Sequence, residues 1–267
     1  MNSPLLWTGS KRKLAKRIIA KFPATYDTYF ELFAGGANVL FALEPKHAVL
    51  NDVNQELMNF YQVLKDNPVE LERQIRNTPW NKETFYIVRN QKRISKMKQA
   101  ARFYYLNWSC FQGTHERCNA KGEFNGGWGF FDKNNFPKEK HFKFERIQLA
   151  NKVLQNVELY NQSYETFLST IKLNDIVYLD PPYKVNENCG QHSYTPICFS
   201  DKQHYELVVF CKQIHAKGAK FVLSNSYSDE TVEMYKDFNI EINEVRRNCT
   251  VRSRPLKKEI LVDNIIN

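Results

Sequence analysis

The sequence predicts an α/β fold: a Rossmann-like, mostly parallel sheet with an antiparallel edge hairpin, plus a helical insert carrying a β-hairpin. Three observations lead there. Short apolar runs alternate with amphipathic stretches in the first and last parts of the chain. The middle part, by contrast, reads mostly as helix. The last two apolar runs have no helical pattern between them, so they are expected to pair directly as an edge hairpin.

In chain order, a basic helix from Ser10 to Lys21 leads into a strand, TYFELFA (28–34). AGGANVLFAL turns through Gly35 and Gly36 into a helix, and HAVLND (47–52) is the second strand. Helices follow in ELMNFYQVLKD, PVELERQIRN, KETFYIVRNQKR and KQAARFYYLNW. Residues 109–136 are rich in Gly, Asn, aromatics and charges, and NAKG marks a turn between short strands. Strands return at VELY (157–160), IVYLD (176–180), KFVLSN (220–225), NIEINEV (239–245) and EILVDN (259–264). DKQHYELVVFCKQIHAKG (201–218) is a helix with Ser200 as its N-cap and Gly218 at the C′ position. The division this implies is a sheet domain built from 1–56 and 146–267, with 57–145 inserted into it.

Bulk properties narrow the function. The 267 residues contain no run of 18 apolar residues, so no membrane span is expected. The first residues lack the order of charges and apolar core that a secretory signal needs. Six cysteines (Cys110, Cys118, Cys189, Cys198, Cys211, Cys249) form no CxxC pair and read as reduced thiols of a cytoplasmic protein. The net charge of +9 is uneven: residues 68–146 hold 16 Lys and Arg against 8 Asp and Glu, and the remainder holds 22 against 21. A concentrated basic segment is the footprint expected of a protein that binds a polyanion such as nucleic acid. No HExxH or zinc-deaminase pattern occurs, and His115-x-x-Cys118 reads as two unrelated loop residues, so no metal is expected.

Two motifs carry chemistry. In ELFAGGANVL a strand runs into a helix through Gly35 and Gly36, which let the backbone approach a ligand closely. Asp52 ends the next strand, where an acid can bind the two hydroxyls of a ribose. The pattern is neither GxGxxG nor a Walker sequence, which disfavours a dinucleotide or a triphosphate. The second motif is Asp180-Pro181-Pro182-Tyr183. Its prolines end the strand and stiffen the corner. Asp180 and the Pro181 carbonyl are hydrogen-bond acceptors, and Tyr183 offers a flat face. That set suits a planar base bearing an exocyclic amino group, rotated out of a duplex.

Taken together these strings resemble the D12 class of adenine-specific DNA methyltransferases, alpha group, which includes the bacterial and phage GATC-type adenine methylases. The matching strings are WTGSK (7–11), ELFAGGANV, LND (50–52), YLNWSCFQG…RCNAKGEFN (105–125), DPPY, LSNS (223–226) and VRRN (245–248), in the family's order. The resemblance implies S-adenosyl-L-methionine as cofactor and transfer of its methyl group to adenine N6 in double-stranded DNA. It implies Trp7 and Lys11 at the methionine end and Phe33, Ala34, Gly35 and Gly36 as the cofactor floor. Asp52 would take the ribose, Val53 would pack on the cofactor's adenine, and Ser163 or Tyr164 would contribute nearby. Asp180, Pro181 and Tyr183 would be catalytic, with Asp180 touching cofactor and target alike. Within the insert, the target-recognition segment, Arg117 would read guanine, with Asn119 and Lys121 contacting bases or phosphates. Trp108 stands where the family commonly has arginine, and FNGGWGF (124–130) also departs; both bear on the target sequence rather than the reaction. Methylation of cytosine N4 or of RNA stays open at this point, as does a silent, methylase-like DNA-binding protein. The expected state is a monomer in the cytoplasm, with a restriction endonuclease at most a genetic partner.

Overall fold

The computed structural model describes residues 1–110, 124–129, 142–183, 199–245 and 257–265. Its centre is a seven-stranded sheet: β1 (Tyr29–Glu31), β2 (Ala48–Asn51), β3 (Val157–Tyr160), β4 (Ile176–Leu179), β5 (Lys220–Ser226), β6 (Asn239–Val245) and β7 (Lys257–Asp263). The order across it is β3-β2-β1-β4-β5-β7-β6. The first five are parallel, and β7 runs antiparallel to both β5 and β6. The expected antiparallel pair is there, with β7 between β5 and β6 and β6 at the edge.

Helices cover both faces. After a 3-10 turn (Lys11–Lys13) come α1 (Ala15–Ile19), α2 (Asn38–Leu43), α3 (Gln55–Asp66), α4 (Pro68–Arg76), α5 (Lys82–Arg89), α6 (Lys96–Ser109), α7 (Phe144–Leu154), α8 (Asp201–Ala216) and α9 (Asp229–Met234). A second 3-10 turn, Tyr164–Ser169, joins β3 to β4. Caps explain several starts: Asn54, Asn81 and Ser95 each accept a backbone N–H of the first turn. Ser200 and Gln203 form a full capping box at α8. Gly218 follows α8 with φ +77°, the left-handed geometry expected there.

Alternation along the strands sorts side chains to two cores. Tyr29, Ile176, Tyr178, Val222 and Leu261 pack with α1 to α4, α6 and α7. Phe30, Val177, Leu179, Phe221, Leu223 and Val262 pack with the Tyr164–Ser169 turn and α8. Helices α3 to α7 therefore share a continuous core with one face of the sheet.

Three differences from the sequence reading have local causes. The basic helix splits into a 3-10 turn, capped by Ser10, and the short α1, which ends at Ile19. The strand expected over 28–34 stops at Glu31, because the Ala34 N–H leaves its β1 register to reach Asn51 O at 2.9 Å. Helix α5 ends at Arg89, before residues read as helical to Arg93. Of the expected hairpin, only 124–129 is described beyond Cys110, with one bridge between Cys110 and Trp128.

Asn51 ties the ends of three strands together. Its side-chain amide donates to Leu32 O (3.1 Å) and Gln162 O (2.9 Å) and accepts from Gln162 N (3.0 Å), all without solvent exposure. A buried amide satisfied this way costs its lost bonds and its orphaned partners when removed. Asn51→Leu is expected to lower the free energy of unfolding by about 2–4 kcal/mol, read from urea denaturation.

Candidate active site

Ligands of open α/β sheets bind beyond the carboxyl ends of the strands, where strand order reverses. Here that point lies between β1 and β4. The glycine loop leaves β1 and the Asp180 corner leaves β4, so the fold brings the two motifs to the same crevice.

On the β1 side, Gly35 has φ +45°, and a Cβ there would lie 2.5 Å from Trp7 Nε1. A Cβ on Gly36 would meet Trp7 Cβ at 2.8 Å. The indole of Trp7 thus lies directly on the glycine pair, at a separation that only glycine allows. Gly35 N–H donates to Asp52 Oδ2 (2.9 Å), and Asn54 N–H to Asp52 Oδ1 (2.9 Å). Burial pushes the Asp52 carboxyl up from its ordinary value, and the two N–H bonds pull against that. Val53, next to it, is 58% exposed, an apolar side chain left facing outward at the crevice.

Phe33, Ala34, Gly35 and Gly36 form the loop that follows β1 after Leu32. The Phe33 ring lies 5.2 Å from that of Tyr164, tilted against it, and meets Phe199 edge-on at 6.0 Å. The structure therefore brings Tyr164 to the glycine loop. Ser163 is exposed and its hydroxyl is bonded to Glu165. Phe199 was not singled out by the sequence; it precedes the α8 cap, and only tertiary packing reveals it.

On the β4 side, Lys11 is 5% exposed and its Nζ meets both carboxylate oxygens of Asp180, at 2.8 Å and 2.9 Å. The same ammonium lies 4.7 Å from the centre of the Tyr183 ring, within cation–π range. Tyr183 OH donates to Glu259 Oε2 at 3.2 Å. Burial, then the charges of Asp180 and Glu259, hold the Tyr183 hydroxyl well above the ordinary phenol range, so it stays a donor. Ser224 donates to Asp180 Oδ1 at 2.9 Å. Ser224 lies in the LSNS string, to which the sequence reading gave no role, and Glu259 was not singled out.

Glu31 lies behind this group, 2% exposed, accepting Tyr29 OH (2.7 Å) and Leu40 N–H (2.8 Å). Burial drives its carboxyl up to about 8; the two donors oppose the rise and the charge of Asp180 adds to it.

The N-terminal arm is held from the insert. Asn107, fully buried, donates to Leu6 O (2.7 Å) and accepts Leu6 N–H (2.9 Å). Trp108 Nε1 donates to Pro4 O at 3.0 Å. The residue that departs from the family pattern thus anchors the segment leading to Trp7. Arg117, Asn119 and Lys121 lie outside the described residues. Among the described residues no cluster of three or more His, Cys, Asp and Glu could hold a metal ion, and no helix is long and apolar enough to cross a membrane.

Residues 7–249 match the family model for D12 class N6 adenine-specific DNA methyltransferases. The chain belongs to this family. It is 34% identical to the type II methyltransferase M1.LlaDCHI of Lactococcus lactis subsp. cremoris, over 98% of this chain and 94% of that one. It is 31% identical to the type II methyltransferase M.MjaIII of Methanocaldococcus jannaschii, over 89% of each chain. The DNA adenine methylase of Serratia marcescens is 27% identical over 91% of this chain and 90% of its own. The protein is an N6-adenine-specific DNA methyltransferase of the kind found among restriction-modification methylases, and it acts on DNA.

The state of Glu31 gives a pH test. Its folded value lies above its ordinary 4.5, so the folded protein keeps a proton that the unfolded chain releases. That contribution to stability is therefore lost as pH rises from about 4.5 to about 8. Glu31→Gln keeps an acceptor for both donors and cannot ionise. Relative to this variant, the wild type is expected to lose stability across that window, by at most about 1.4 kcal/mol per pH unit, read from denaturation curves at stepped pH.

Proposed function

We propose that the protein transfers a methyl group from S-adenosyl-L-methionine to N6 of an adenine rotated out of duplex DNA, within the crevice between the glycine loop and the Asp180 corner. The observation that carries this reading is the position of Asp180, Pro181 and Tyr183 at the end of β4, beside the strand that bears Gly35 and Gly36.

The residues present fit the cofactor. Gly35 and Gly36 let Trp7 pack directly on the loop, which brings together two elements that would face the cofactor. Asp52, half-buried at the end of β2, suits a ribose, and exposed Val53 suits the face of an adenine ring. When bound, S-adenosyl-L-methionine supplies an electrophilic methyl on a sulfonium. Trp7 and Lys11 would line its methionine end, Phe33 to Gly36 its floor, with Tyr164 favoured over Ser163 by its packing on Phe33.

The chain's own residues do the rest. The lone pair of an adenine amino group is delocalised into the ring and attacks poorly. Asp180 and the Pro181 carbonyl accept the amino hydrogens, which localises that pair on nitrogen. Tyr183 stacks on the base and fixes its plane. As the nitrogen–methyl bond would form and the methyl–sulfur bond break, leaving the cofactor as a neutral thioether, positive charge would pass to nitrogen, where acceptor oxygens already in place stabilise it; one amino proton would then leave to solvent by way of those oxygens. Lys11 must then share Asp180 with the incoming amino group, since it now holds both carboxylate oxygens.

Residues 57–145 act in this reading as the target-recognition segment on a catalytic domain of 1–56 and 146–267. Its excess of Lys and Arg gives phosphate contacts and steep salt dependence. Arg117 reads guanine, Asn119 and Lys121 lie beside it, and a monomer works in the cytoplasm.

The test incubates protein with methyl-labelled S-adenosyl-L-methionine and unmethylated plasmid DNA, then digests to nucleosides. Label is expected in N6-methyldeoxyadenosine. Asp180→Ala is expected to lower the single-turnover rate by about 1,000-fold or more while salt-sensitive DNA binding persists. Label in N4-methyldeoxycytidine, or an Asp180→Ala variant near wild-type rate, would overturn the reading.

A further inference from the structure

We propose that Tyr178 and Ser224 are positioning residues that orient Asp180 through a directed hydrogen-bond relay. The inference rests on the reading of Asp180 as the acceptor for the target amino group.

The argument begins with what the motif lacks. A carboxylate at a strand end is ordinarily steadied by nearby backbone N–H groups, as in an Asx-turn. Asp180 is followed by two prolines, which have no N–H to give. Its orientation must come from residues distant in sequence.

Strand register delivers them. β4 and β5 are parallel, with Tyr178 opposite Val222 and Leu179 opposite Leu223. One further step sets Asp180 opposite Ser224. Alternation then turns Tyr178, Asp180 and Ser224 to the same face of the sheet. There Ser224 Oγ donates to Asp180 Oδ1 at 2.9 Å, and Tyr178 OH lies 2.9 Å from Ser224 Oγ. The serine has one proton and gives it to the carboxylate, so the tyrosine must be the donor in the second bond. Burial holds the Tyr178 hydroxyl well above the ordinary phenol range, and the charge of Asp180 adds to this, so it keeps the proton it donates. Ser224 is fully buried and Tyr178 1% exposed, so water does not compete with the relay. Chains of this kind polarise cooperatively in a low-dielectric setting.

The relay differs from the Lys11 contact in a useful way. Lys11 spans both oxygens, including the ones the substrate needs. Ser224 touches Oδ1 alone, from a fully buried position, so it can fix the carboxylate plane without occupying Oδ2, which Lys11 now holds and would share with the amino group.

The experiment compares wild type, Ser224→Ala, Tyr178→Phe and the double variant in single-turnover methyl transfer with S-adenosyl-L-methionine and plasmid DNA, beside equilibrium binding of each and thermal unfolding. Ser224→Ala is expected to slow transfer about 10- to 100-fold with both affinities within twofold of wild type. Tyr178→Phe is expected to slow it several-fold, and to add nothing in the Ser224→Ala background. A merely structural role would move the unfolding midpoint and both affinities, with additive effects. Ser224→Ala at wild-type rate, or additive losses, would overturn the proposal. Should the serine variant fail to fold, Tyr178→Phe, which keeps the ring, decides alone: a wild-type rate refutes the relay. Asp180→Asn in the same assay separates the two claims. If it is inactive while the relay variants are normal, only the relay fails; if it is active, the reading of Asp180 fails with it.

Discussion

Lys11 and Asp180 are 169 residues apart in sequence and in direct contact in the fold, and the crevice depends on that contact. Lys11 also donates to Gly9 O at 3.0 Å, so the same ammonium shapes the turn after Trp7. Trp7 in turn covers Gly35 and Gly36. One part-buried pair thereby holds the N-terminal arm against both motif loops. The insert reinforces the arrangement from the other side, through Asn107 on Leu6 and Trp108 on Pro4.

The two faces of the sheet play different chemical parts at its carboxyl end. Glu31, Tyr178, Ser224 and Glu259 share the face that packs on α1 and α2, and with Asp180 they make a polar seam at the strand ends. The opposite face carries Phe33, Tyr164 and Phe199, an aromatic cluster. A sulfonium cofactor and a flat base need both kinds of surface: fixed acceptors where charge moves, and apolar faces where rings lie. The period-two alternation of a strand supplies the two together, one residue apart.

What the sequence made legible follows from where the residues sit. Gly35, Asp52 and Asp180 each stand just past a strand, so recognising the strand locates the residue. The parallel core and the final hairpin followed from alternating patterns and from the missing helix before β7. Ser224 and Glu259 were out of reach because their meaning lies in register: Ser224 matters for being opposite Asp180, which no local pattern states. Asn51 and Asn107 look like any strand or helix asparagine until their three-dimensional partners appear. The split of the first helix was hidden for a similar reason, since Lys11 turns inward to a carboxylate far along the chain. Trp108, read as a departure bearing on target choice, also holds the N-terminal arm.

The central claim is that one crevice, framed by Asp52 on one side and Lys11 with Asp180 on the other, holds S-adenosyl-L-methionine. Calorimetric titration of the cofactor into wild type, Asp52→Ala and Lys11→Ala tests it most directly. The account expects saturable binding at one site, weakened about tenfold or more by each substitution, with both variants still folded. Undiminished affinity in both folded variants would place the cofactor elsewhere and contradict the account.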